Sequence, residues 1–389
     1  MKRRDFLQIS AVLPLLTCAQ AVQAQPPFWN RVFAQMPKAL ADMASNPEYR
    51  VQILCQFRRS GTSHWHSRHW QLQPRRWFSI GSVAKLPMAL LACEQVAAMG
   101  GTLQSTIGFS QTPIGGEWPD SEPEFESLER GLVRTFTVSE NVPFNRWYDF
   151  LGVDAIAARL TALGYPSVRL ISRMSAPVRD NAHTRAGRVY AADGKVLADF
   201  PERFGRKRRF DLGDARTGKG FLHDDGHLLE GPHDFSNANF IALADAHRML
   251  RALIDPESVP QSQRWAIPEE MRQALLPIMA MMPRHSTDPV YPETTFYDGY
   301  ARFFLIGDSH ERKPDALQLT GKVGEAYGFL SDIEYIRAQD SPMECLLSAN
   351  LYVNADGIFN DDIYEYETLG YPFLAALGKA VWHVVNAEA

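Results

Sequence analysis

What most constrains this chain is where its strand-like and helix-like stretches fall. Near the start, Arg50 to Phe57 and His64 to Leu72 read as two strands around the turn Ser60-Gly61-Thr62. A helical repeat of Phe28, Val32, Phe33, Met36 and Leu40 precedes them and predicts one helix from Phe28 to Met43. Near the end, Leu317 to Val323, Gly328 to Arg337 and Glu344 to Val353 read as three more strands, and Tyr371 to Val385 as a closing helix. The long middle is helix-rich, with helices expected from Val83 to Met99 before Gly100-Gly101, from Asp154 to Leu163 before Gly164, and from Asn239 to Ile254 before Pro256. The economical fold is an α/β (α+β) arrangement in which both ends of the chain complete one sheet and a helical domain is inserted between them, so the termini should lie close together. The expected division is 25–78 plus 295–389 for the sheet-containing domain and 79–294 for the inserted one.

Residues 180–234 differ in character. They are polar, carry Arg203, Arg206, Lys207, Arg208 and Arg209, and show a hairpin signal at Asp193-Gly194 between Val189-Tyr190 and Val196-Leu197. They read as a further insertion whose basic cluster is a solvated loop, or else a contact for an anionic surface. The insertion is expected to border any cleft and to limit substrate size.

The first residues, Met1-Lys2-Arg3-Arg4-Asp5-Phe6-Leu7, set paired arginines before an apolar run from Ile9 to Leu16. This reads as a signal peptide of twin-arginine type over residues 1–24, with small residues at Val22-Gln23-Ala24 before the cut, and it implies a periplasmic or secreted protein. Cys18 offers the lesser alternative of a lipoprotein. The run is too short to span a bilayer, and no later stretch is long and apolar enough. Lys plus Arg at 40 against Asp plus Glu at 45 gives a net charge of -5, which argues against a general nucleic-acid binder. Past the signal the cysteines are Cys55, Cys93 and Cys345, an odd count at wide spacing that favours buried thiols over a disulfide framework, a Cys55–Cys345 bridge being the alternative. His64, His66 and His69, and the stretch His223-Asp224-Asp225-Gly226-His227, lack a complete set of metal-binding partners, and no motif points to a cofactor.

Chemistry enters at Phe78-Ser79-Ile80-Gly81-Ser82-Val83-Ala84-Lys85-Leu86-Pro87. Three residues apart at a helix start, Ser82 and Lys85 share a face. A serine hydroxyl is a weak nucleophile unless a neighbouring base takes its proton, and a desolvated lysine can do so. A serine and lysine so spaced arise by chance about once in a chain of this length, so the pair alone decides nothing.

Two further stretches decide more: Val138-Ser139-Glu140-Asn141 and Leu319-Thr320-Gly321-Lys322-Val323-Gly324, followed by Tyr327-Gly328-Phe329-Leu330-Ser331-Asp332-Ile333. In this order the three stretches resemble the S-x-x-K, S-D-N and K-T-G motifs of the penicillin-recognising serine hydrolases, nearest to class A β-lactamases. The resemblance covers most of the chain outside 180–234. It implies an antiparallel five-stranded sheet flanked by terminal helices, with an inserted all-helical domain. It implies Ser82 as the acylated nucleophile, Lys85 as its base or relay, Ser139 as proton shuttle, Lys322 as positive charge beside Ser139, and Asn141 as a holder of the substrate amide. Backbone N–H groups of Ser82 and Glu325 would stabilise the oxyanion, and Val323, Gly324 and Glu325 would line the substrate.

The pattern also departs from the family. Glu140 stands for the usual aspartate, a change expected to keep loop geometry. Val323 stands where a threonine or serine hydroxyl helps bind the substrate carboxylate, so recognition of penicillin-like acids should weaken. Glu325 would place a like charge beside such a carboxylate. Ser172-Arg173-Met174-Ser175-Ala176-Pro177, where the family keeps a glutamate that activates the deacylating water, has none; Glu230 is the candidate substitute. The expected function is an exported serine hydrolase acting through an acyl-serine on an amide or ester, a β-lactam or cell-wall peptide. The rival is a penicillin-binding or sensor module that keeps the fold without turnover.

Overall fold

The computed structural model describes residues 27–114, 124–176, 180–207 and 215–388. The expected signal peptide with Cys18, and Pro177, Arg208 and Arg209, lie outside them. Five strands make one antiparallel sheet: β1 (Gln52–Arg59), β2 (His66–Trp70), β3 (Leu317–Ala326), β4 (Phe329–Ala338) and β5 (Met343–Tyr352), in the order β3-β4-β5-β1-β2. The two ends of the chain meet where β1 pairs with β5, Gln52 opposite Asn350 and Arg59 opposite Met343. Every residue of β5 is buried, as expected of a central strand covered on both faces.

One face of the sheet carries α1 (Pro27–Ala34), α2 (Lys38–Met43) and the closing helix Tyr371–Asn386. Phe28, Trp29, Ile53, Leu347, Phe373 and Val381 belong to the core between them. An ion pair of Arg31 with Glu388 ties the terminal helices together. The single helix expected over Phe28–Met43 is two, because Pro37 lacks an N–H and holds φ at -51° with an extended ψ of 132°. Cys55 and Cys345 are free, buried thiols whose sulfurs are 3.6 Å apart.

The other face packs on the inserted part. Its central helix, α3 (Lys85–Ala98), is buried nearly all round, and Pro87 falls in its first turn, where a missing N–H costs nothing, so no break results. α4 (Leu128–Thr137) and α5 (Val142–Leu151) follow. The helix expected from Asn239 begins instead at Leu243, because Phe240 bridges to Arg169 and Asn239 turns its side chain to the backbone of Ile171 and Ser172.

The inserted part is not all-helical. Phe125–Ser127, Thr106–Phe109, Gly187–Tyr190 and Val196–Phe200 form a four-stranded sheet, the last two joined by the hairpin at Asp193-Gly194. Residues 180–234 therefore share a sheet with the body of the insert. Nor is their basic cluster wholly solvated, since half-buried Arg203 donates to the Phe150 carbonyl at 3.1 Å, at the end of α5. Arg206 and Lys207 stay at the surface near Asp154 and Asp180. No described helix is long and apolar enough to cross a membrane, and no described cluster of His, Cys, Asp and Glu has the makings of a metal site.

Candidate active site

Ser82 lies in a 3-10 turn, Gly81–Ala84, that runs straight into α3. The turn presses against β3 closely enough that both contact residues must be glycine. A β-carbon on Gly81 would stand 2.7 Å from the Glu325 nitrogen, and one on Gly324 would stand 2.1 Å from the Ile80 carbonyl and 3.0 Å from the Ser82 nitrogen. This contact sets the backbone nitrogens of Ser82 and Glu325 at one mouth. The Ser82 N–H, at a helix start, has no partner within the helix. Such a pair is the arrangement that stabilises a carbonyl oxygen as it gains charge.

Lys85, with no exposed surface, reaches back one turn. Its Nζ donates to Ser82 Oγ at 2.7 Å, to the Ser139 carbonyl at 2.5 Å and to Ser139 Oγ at 3.3 Å. Ser139 occupies the junction of α4 and α5 with φ at 65°, a left-handed conformation that a serine adopts only where its surroundings hold it. The donors from Lys85 do so from one side. From the other, Lys322 of β3 donates from Nζ to Ser139 Oγ at 2.7 Å and to the Val323 carbonyl at 3.0 Å. The structure thus brings Ser82, Lys85, Ser139 and Lys322 around one small volume. Burial pushes the Lys322 ammonium well below its ordinary pKa, nearby Lys85 and Arg302 push it further, and Asp332 and Glu334 pull it partly back.

Glu140 is fixed by Arg134 at 2.6 Å and by the Tyr291 hydroxyl at 2.7 Å, which keeps the turn that presents Ser139. Asn141 donates to Ser175 Oγ at 3.0 Å across a cavity of about 540 Å³ that Ser82, Glu325 and Tyr366 also line. The far wall is the stretch Ser172–Ser175, held by two asparagines. Asn145 exchanges two 2.8 Å bonds with the backbone of Met174, and Asn239 binds the backbone of Ile171 and Ser172. Arg173 is part of that wall, but its guanidinium turns inward to an ion pair with buried Asp149.

Two expectations fail on geometry. Val323 does not line the substrate. Alternation along β3 sends Lys322 toward Ser139 and Val323 to the opposite face, where it is 4% exposed and packs in the core beneath the terminal helices with Ala301 and Phe303. Glu230 stands on an exposed edge strand, Leu228–Glu230, and is no part of the cavity wall. Glu325 does line the cavity, its carboxylate accepting from the Tyr371 hydroxyl at the start of the closing helix. Although the side chain reaches the surface, desolvation of its carboxylate at the cavity mouth raises its pKa, the Tyr371 hydrogen bond lowers it in part, and Glu367 raises it again.

The sequence reading missed the outer rim. Asn360, Asp362, Tyr364 and Tyr366 border the cavity from the segment before the closing helix. Tyr366 is anchored there by accepting from the Gly328 nitrogen at 2.7 Å. Among the described residues, none of the insertion borders the cavity as expected. It braces the rim from behind, where Asn360 donates to the Leu222 carbonyl at 2.8 Å. A polar, tyrosine-rich run between a strand and a helix was the available signal, but it has no period to read.

A search of curated protein sequences finds no match. Among solved structures, the chain is similar to a β-lactamase from Sphaerobacter thermophilus at 13% identity, covering 92% of this chain and 97% of that one with a TM-score of 0.49. It is also similar to a class A β-lactamase from Mycobacterium abscessus at 14% identity, 89% and 98% coverage and a TM-score of 0.47, and to PBP-A at 14%, 93%, 98% and 0.49. The sequence profile of the beta-lactamase enzyme family matches residues 58–346, a span that takes in Ser82, Ser139 and Lys322 alike. By that match the chain belongs to the beta-lactamase enzyme family.

Proposed function

We propose that this chain is an exported acyl-serine hydrolase of amides or esters, with Ser82 as nucleophile. The observation that carries the reading is the 2.7 Å contact of Lys85 Nζ with Ser82 Oγ, set beside the 2.7 Å contact of Lys322 Nζ with Ser139 Oγ. Lys85, as a neutral amine, takes the proton from Ser82 as Oγ attacks the acyl carbon. The oxyanion forms between the Ser82 and Glu325 N–H groups. Ser139 passes a proton to the leaving atom, and Lys322 supplies the charge that orients its hydroxyl. Asn141 holds an amide of the substrate.

Glu325 deepens the reading toward substrate class. A β-lactam carboxylate in this cavity meets a like charge, whereas a neutral or amine-bearing acyl group from cell-wall peptide does not. A second reading, acylation with little turnover, is favoured by the Ser172–Ser175 wall, which carries no carboxylate to activate water. Intact-protein mass spectrometry with several β-lactams and an activated ester tests both. A covalent adduct is expected on the native chain and none on Ser82→Ala. Labelling of the variant at the native rate overturns the assignment, and an adduct that never clears supports the second reading.

A further inference from the structure

The segment Asn354–Gly370 has two sides. Asn360, Asp362, Tyr364 and Tyr366 face the catalytic cavity, while Ala355, Gly357, Glu365 and Leu369 line a separate cavity of about 570 Å³. Three cations from distant parts of the chain meet in that second cavity: Arg50, Arg76 and Lys219. Arg50 has a left-handed backbone, φ 49°, and its guanidinium lies 4.5 Å over the Tyr352 ring and donates to Thr217 Oγ1 at 3.0 Å. Lys219 belongs to the 180–234 insertion. Its nitrogen donates to the Gly357 carbonyl at 2.7 Å, and its stem lies so close that a β-carbon on Gly357 would stand 3.2 Å from Lys219 Cγ. The insertion thereby delivers an ammonium to this wall.

Two carboxylates, Glu48 and Glu365, share the cavity, and Glu365 already accepts from the Ala355 nitrogen at 3.2 Å. Neither Arg76 nor Lys219 has an ion pair or side-chain hydrogen bond with a described residue. Two charged donors therefore face the cavity unengaged, beside a third held in place by Tyr352. Set against Glu48 and Glu365, the three cations leave a net charge of +1, so donor number rather than charge separates the ligands: a carboxylate offers two acceptor oxygens, whereas a phosphomonoester, with a charge of roughly -1.5 to -2, offers three and can engage Arg76 and Lys219 together. The volume far exceeds a bare phosphate and falls within the range of cavities that take small organic ligands. The rings of Tyr49 and Tyr352 and the side chain of Leu369 offer its body an apolar wall.

We propose that this second cavity binds a phosphomonoester carried on a body of about sugar size, with Arg76 and Lys219 as its principal ligands. The site is separate from Ser82, so it stands or falls independently of the proposed hydrolase. The test is calorimetric titration of the full chain with glucose 6-phosphate, inorganic phosphate and glucose. Glucose 6-phosphate is expected to bind, and glucose to give no heat. The double variant Arg76→Ala with Lys219→Ala is expected to weaken the phosphosugar by about tenfold or more, as loss of charge-assisted bonds does. The thermal unfolding midpoint of that variant stays within about 2 °C of native, which shows that the fold survives. Absence of glucose 6-phosphate binding to the native chain overturns the proposal, as does unchanged binding in the double variant. Inorganic phosphate binding as tightly as the phosphosugar overturns the assignment of a sugar-sized body.

Discussion

The inner and outer halves of the candidate catalytic cavity are built on different terms. Inside, Lys85 and Lys322 are fully buried, and between them they hold half-buried Ser82 and Ser139. Outside, Glu325 and Asp362 are exposed and Tyr364 and Tyr366 half-buried, on a strand end and a connecting segment. Groups fixed by burial tolerate little change, because a misplaced polar atom there has no water to fall back on. Rim groups are free to differ without disturbing what lies beneath. The difference teaches that reactivity and substrate choice are separable here, and substitution can set one against the other.

The largest break should come from the inner half. Lys322→Ala removes the closest donor to Ser139 Oγ, and Ser82 acylation is expected to slow about 10²–10³-fold, equally for a neutral ester and an anionic β-lactam, by stopped-flow or mass spectrometry. A loss confined to the β-lactam would assign Lys322 to carboxylate binding instead. The outer half should discriminate. Glu325→Ala is expected to speed acylation by anionic β-lactams by about tenfold, equivalent to about 1.4 kcal/mol of relieved repulsion, with the neutral ester unchanged. The same contrast should appear with pH. Because the Glu325 pKa is raised, its carboxylate takes up a proton at higher pH than an ordinary glutamate, so the ratio of β-lactam to ester rate should climb as pH falls through that raised value. In Glu325→Ala the ratio should stay flat, and a climb there would assign the effect to another group. The smallest kinetic effect is expected of Val323→Thr, which puts a hydroxyl among Ala301 and Phe303 and should leave β-lactam acylation unchanged while costing about 1–3 kcal/mol of stability by denaturant titration. A gain in β-lactam acylation would return residue 323 to the cavity.

Much of the inner half was legible because its signals are local. Ser82 and Lys85 share one turn, and the apolar runs that became β3, β4 and β5 are long enough to register. The side of Val323 was legible too. If Lys322 turns to Ser139, its strand neighbour must turn away, and family analogy had overridden that plain alternation. Pro37 likewise announced the break between α1 and α2. The rim was not legible, since Tyr366 is placed by its contact with Gly328 and Asn360 by its contact with the insertion, which no pattern within their own segment encodes. Of the four-stranded sheet of the insert only the hairpin at Asp193-Gly194 was legible, from its turn; Thr106–Phe109 and Phe125–Ser127 run for four and three residues, too short for alternation to show.

The pairing of β1 with β5 sets a timetable. Cys55 and Cys345 touch across a separation of 290 residues, so β1 waits for almost the whole polypeptide before it finds its neighbour. Contacts between such distant segments form late, since ordering the intervening chain must come first. Lys322 sits on the same sheet, and a nascent chain that has released Ser82 but not yet β5 has the proposed nucleophile with no finished pocket around it. Synthesis itself thus delays completion of the site around Ser82 until the last strands arrive.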